Sequence, residues 1–156
     1  MNNSDAQMTA TVRTAQFIHA AITLGLLSFG AVVAFLMFTG TDVTNTQEIT
    51  SNNESESLGA LGIALQLGGL GLAFLIRGLM GRGAQGQNAA GILMIRHITF
   101  IVILEGTGIT GIVIGLLTND PYPLIATVIP LLALLFTWPT RARFDPDYDP
   151  REAKLG

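Results

Sequence analysis

The stretch RHITFIVILEGTGITGIVIGLLTNDP, residues 96–121, decides how the chain is read. From Ile98 to Leu117 it is an unbroken run of apolar and small residues with a single carboxylate, Glu105, near its middle. About 20 such residues make a helix long enough to cross the hydrocarbon core of a bilayer. Arg96 and His97 bound the run on one side. Thr118-Asn119-Asp120-Pro121 bounds it on the other and is a strong turn signal. The spacing predicts a helix over 88–118, projecting beyond the bilayer at its start.

Working outward, the same reading recurs on both sides. A first apolar segment runs over 14–38 after a polar tail, 1–13, and is too long for a secretory leader, whose apolar part is about 7–15 residues. Residues 39–57 hold four acids and no base, and read as a solvated outer loop. A second span follows over 58–77, then a Gly-rich connection that includes Gly81-Arg82-Gly83 and lacks the G-K-[ST] ending of a phosphate loop. The fourth segment, 121–138, is short and interrupted by Pro130, and 139–156 is a charged tail. With 49% hydrophobic and only 12% charged residues, the chain has about half the charge of a typical soluble domain, so lipid is its expected solvent.

Charge placement decides whether the fourth segment crosses or re-enters. The eight bases are Arg13, Arg77, Arg82, Arg96, Arg141, Arg143, Arg151 and Lys154. With four spans all of them fall on the side of the N-terminus, and the outer side holds only Asp42, Glu48, Glu54, Glu56 and Asp120. That is the positive-inside pattern, and a re-entrant segment would break it at Arg141 and Arg143. Tyr122 and Trp138 then sit at opposite interfaces. The expected fold is all-α: an antiparallel four-helix membrane bundle in the inner (plasma) membrane with both termini cytoplasmic.

Helices in lipid associate by close packing of small residues and by hydrogen bonds. At about 3.6 residues per turn, Ala15, His19, Thr23, Gly30 and Ala34 share a face of helix 1. Gly59, Gly62, Gln66, Gly69 and Ala73 share one of helix 2. Thr107, Gly108, Gly111 and Gly115 form a stripe on helix 3 with Glu105 at its edge. The expected packing residues are Gly62, Gly69, Gly108, Gly111 and Gly115. Helix 4 has no such stripe and reads as a peripheral partner.

Glu105 is the most informative residue. At about 1.5 Å per residue it lies roughly 10 Å inward from Ile98, near the middle of the core. A carboxylate there should face the bundle or a water-filled cavity, paired or protonated. It is either a proton or cation carrier or a carboxyl that holds helices together. Gln66 enters to similar depth from the other side and suits an interhelical hydrogen bond. His19 lies nearer the cytoplasm and reads as interfacial, and His97 as a boundary residue beside Arg96. Arg141 and Arg143 are placed to meet anionic headgroups. Asp145, Asp147 and Asp149 imitate the start of a calcium loop, but Pro150 stands where its Gly belongs and Gly156 where its Glu belongs. With no Cys, no Ser/His/Asp triad and no metal cluster in view, neither an enzyme nor a cofactor is expected.

Two resemblances attach to these residues. Ile101 to Leu117, with Glu105 followed by small and β-branched residues, resembles the ion-binding helix of rotary ATPase proteolipid (c-type) subunits, which implies that Glu105 binds the ion. The chain departs from that family in its polar hairpin loop, which is not the short Arg-Gln-Pro type, in a helix 2 without the dense alanine-glycine repeat, and in the further helix that follows the carboxylate helix. Ile18-His19, Glu105-Gly106 and Pro139-Thr140-Arg141 together are similar to small bacterial four-helix membrane proteins, a likeness that implies a fold and no function. Two functions follow. One is a non-enzymatic membrane subunit or interaction module whose carboxylate serves packing. The other is a proteolipid-like carrier in which Glu105 binds a proton or cation, Gln66 helps hold it and His19 lies on the access route. The expected partners are the lipid bilayer and either further copies of the chain or other membrane subunits; nucleic acid is not expected.

Overall fold

The computed structural model describes residues 3–39, 52–80 and 89–144. Most of the acidic loop at 39–57, the Gly-rich connection after helix 2 and the aspartates of the tail lie outside the described residues. Among these residues the structure is all-helical: α1 (Asn3–Phe38), α2 (Asn52–Met80), α3 (Ala89–Thr118), α4 (Pro121–Ala126), α5 (Val128–Phe136) and α6 (Arg141–Phe144). Among the described residues three helices are long and apolar enough to cross a membrane, over Ala6–Phe38, Ser57–Met80 and Gly91–Thr118. Large apolar side chains such as Phe17, Leu24, Phe35, Leu72, Leu75 and Leu117 cover their outer faces, a surface that suits lipid and not water. Both α1 and α2 begin earlier than hydropathy suggests, because the polar residues Asn3–Arg13 and Asn52–Ser57 continue the helix rather than ending it.

α3 is the hub and touches α1, α2, α4, α5 and α6. Its small residues let the neighbours come close. A methyl added at Gly108 would stand 2.8 Å from Leu26 Cδ2, and one at Gly62 would stand 2.9 Å from Ile114 Cγ2. Gly69 receives the Thr107 hydroxyl, Gly111 receives the Gln66 amide, and Gly115 lies against the backbone that opens α4. Residue numbers rise together along α1 and α3, where Gly30 meets Ile112 and Leu26 meets Gly108. They run oppositely along α2 and α3. The interior is filled by Leu26, Val33, Ala73, Phe100, Ile101, Leu104, Ile112 and Leu134. A second cluster, Val12, Ala15, Leu93 and Phe144, closes one end.

The turn after α3 is built from its own sequence. Asn119 takes a left-handed φ of 52°, which Asn tolerates better than most residues. Asp120 caps α4 by accepting from the Tyr122 N–H at 2.9 Å, and Pro121 fills the first helical position, where no N–H is needed. The apolar stretch Pro121–Phe136 then breaks at Thr127. Pro130 has no N–H to give to the carbonyl of Ala126, so the ladder loses a rung just where α4 gives way to α5. Despite having no glycine stripe, this stretch buries Pro123, Thr127, Pro130 and Leu134 and presents two accepting carbonyls to the interior. It is more than a peripheral strip.

Candidate functional site

Of the residues singled out from sequence, Glu105, Gln66 and His19, no two are brought together. Gln66 is buried, and its Nε2 donates to the Pro123 carbonyl at 2.8 Å. That oxygen also accepts from the Thr127 hydroxyl at 3.0 Å, so α2 is tied to the first turn of α4. The other amide atom, Oε1, is buried with no partner. Gln66 lies against Gly111, and Glu105 is six residues earlier on α3, about 120° around the helix. Glu105 is half-buried on a flank, between the exposed Val102, Gly106 and Ile109 and the buried Ile101 and Ile112. No described residue hydrogen-bonds it or pairs with its charge. The next polar group inward from His19 on α1, the Thr23 hydroxyl, is likewise buried without a partner.

His19 is fully buried within the chain, and it meets a residue that sequence reasoning left at the boundary. Its Nδ1 lies 3.3 Å from Nε2 of His97, itself buried, and the two rings stack with centroids 5.3 Å apart. Its Nε2 lies 2.9 Å from the carbonyl of Leu134. A carbonyl only accepts, so His19 carries its proton on Nε2. In the neutral pair Nδ1 of His19 is then bare and accepts from Nε2–H of His97, which leaves Nδ1 of His97 as the remaining proton site.

The reason these groups gather lies at the end of α5. The last carbonyls of a helix have no partner within it and carry its negative dipole end. Here Leu134 takes the His19 N–H, Phe136 takes Nη2 of Arg143 at 3.0 Å, and Ala133 takes the Thr137 hydroxyl at 2.7 Å. Aromatic rings wall the pair in: Trp138 meets His19 edge-on at 5.2 Å, and Phe144 meets His97 at 5.7 Å. Gln16 fastens the same end by donating to the Pro139 carbonyl at 3.1 Å.

Beside the pair opens a cleft lined by Arg77, Leu93, Arg96, His97, Arg143 and Phe144. The cleft thus gathers three like charges, Arg77, Arg96 and Arg143, beside the His97 ring. Arg77 stacks its guanidinium on the Phe100 ring, 4.6 Å from the centroid, yet its Nη1 is buried without a hydrogen-bond partner, as is Nη1 of Arg143. Among the described residues no group of three or more His, Cys, Asp or Glu could hold a metal ion. The signal for this cluster was present in the sequence as depth. The positive-inside reading expects His19 and His97 near the same ends of helices 1 and 3 as Arg77, Arg96 and Arg143.

Comparison of the sequence with family models and with curated proteins, and of the fold with solved structures, finds no match in any of the three.

Proposed function

We propose that the chain is a non-enzymatic subunit of a membrane assembly, inserted as four antiparallel spans with both termini in the cytoplasm, and that Glu105 faces a neighbouring subunit. The observation that carries this is the position of Glu105: near mid-span, on a flank, with no partner among the described residues of its own chain. A carboxylate left against lipid at that depth is costly, whereas a protein neighbour can supply the missing donor. The absence of cysteine makes a clean test. Val102→Cys and Ile109→Cys flank Glu105 on its face, and Leu72→Cys sits on the exposed face of α2. In native membranes the first two are expected to cross-link to a neighbour and the third not to. A chain that stays monomeric at all three positions removes the proposal.

A second reading keeps Glu105 as a carrier of a proton or cation. The same unpaired carboxylate favours it, but Gln66 and His19 are engaged elsewhere, so its ligands would have to come from the neighbour. A hydrophobic carbodiimide should then modify Glu105 at neutral pH, with a competing cation suppressing the reaction. No modification in native membranes, with unchanged ion flux in Glu105→Gln, leaves only the subunit role.

A further inference from the structure

We propose that the cleft between α2, α3 and α6 is a binding site for a phosphate group. Three guanidinium groups line it, from Arg77 at the end of α2, Arg96 near the start of α3 and Arg143 on α6, with the His97 ring beside them. Like charges gathered in this way destabilise one another unless an anion joins them. Two of the three guanidinium groups, moreover, keep a buried Nη1 with no acceptor. Leaving such a donor unpaired is costly, and more so for a charged group, so each calls for an oxygen. Their other contacts already fix them in place: Arg77 on the face of Phe100, and Arg143 by Nη2 on the Phe136 carbonyl.

The ligand class follows from donor geometry. Each guanidinium offers a planar fork that matches two oxygens of an oxyanion. Three forks arriving from three separate helices suit a tetrahedral group with three or four oxygens better than a carboxylate with two. Leu93 and Phe144 supply an apolar wall, which fits the carbon skeleton of a phosphate ester. The group can arrive as the headgroup of an anionic lipid or as a phosphate in water, and the chemistry recognised is the same.

The test measures thermal unfolding of the purified full-length chain in a neutral detergent. Inorganic phosphate is added in one arm and phosphatidylglycerol in the other, against matched chloride and phosphatidylcholine. The site predicts a concentration-dependent rise in Tm in at least one arm. A rise with lipid alone identifies a headgroup site, a rise with phosphate alone a soluble ligand, and a rise with both a site for the group itself. Arg143→Gln should reduce apparent affinity at least tenfold, and Arg77→Gln likewise. Arg77→Lys, which keeps the charge but loses the fork, should fall between. Should Arg77→Gln fail to fold, Arg143→Gln on the terminal helix carries the test. No rise in either arm, or a rise that Arg143→Gln leaves intact, overturns the proposal. So does a rise seen only when Asp145, Asp147 and Asp149 are all changed to Asn, because the chain's own tail would then be the occupant.

Discussion

Gly68 and Gly111 are the same residue in two different surroundings, and substitution should tell them apart. An alanine methyl at Gly68 meets nothing within 4 Å, whereas one at Gly111 would run into the Gln66 amide and the Thr127 hydroxyl. Those neighbours cannot simply yield, since both are hydrogen-bonded to the Pro123 carbonyl. Gly68→Ala is expected to stabilise the helix by about 0.5–1 kcal/mol, through propensity and reduced freedom of the unfolded chain. Gly111→Ala is expected to cost about 1–3 kcal/mol by overpacking. Unfolding of the purified protein in a denaturing detergent measures both. The histidine pair has its own built-in reporter, because Trp138 is the chain's one tryptophan and stands 5.2 Å from His19. Adding a proton to the pair should quench its emission on acidification. In His19→Phe most of that pH dependence should disappear; if it persists, the quencher lies elsewhere.

At the scale of elements, α4 and α5 are held by what they lack as much as by what they contain. The rung missing at Pro130 marks where α4 ends, and Pro123 then offers its carbonyl to both Thr127 and Gln66. Because both donors share one acceptor, their contributions should not add. Thr127→Val and Gln66→Leu are each expected to cost about 1 kcal/mol, and the double variant about 0.5–1 kcal/mol more than their sum, because either donor alone still serves the carbonyl. Full additivity would mean that the two bonds are independent. This is also where sequence reading reaches its limit. Apolar length, the turn at Asn119-Asp120-Pro121 and the stripe spacing of Gly62, Gly69, Gly108, Gly111 and Gly115 are local properties, visible along one segment. The His19–His97 pair joins residues 78 apart, and its existence depends on the register of α1 against α3, which no single segment encodes. Each histidine taken alone reads as a boundary residue. Likewise the Gln66 partner is a backbone carbonyl on α4, and a carbonyl carries no sequence label.

For the whole molecule the open physical problem is the fourth crossing. Pro121–Phe136 at about 1.5 Å per residue extends roughly 24 Å, short of a hydrocarbon core of about 30 Å. The shortfall is small enough to be met by local thinning of the bilayer, which costs only fractions of a kcal/mol per Å. Failing to cross would instead place Arg141 and Arg143 on the outer face, against the distribution of every other base in the chain. It would also part Arg143 from Arg77 and Arg96, with which it lines one cleft. Charge and geometry therefore favour the same topology from independent directions. Single cysteines at Asn45, Arg82, Asn119 and Leu155 should reveal it in intact cells. Asn45→Cys and Asn119→Cys are expected to react with a membrane-impermeant maleimide from outside, and Arg82→Cys and Leu155→Cys only after permeabilisation. If Leu155→Cys labels from outside while Asn119→Cys also does, the fourth segment re-enters, and the arginine cleft could not form as one site in a single leaflet.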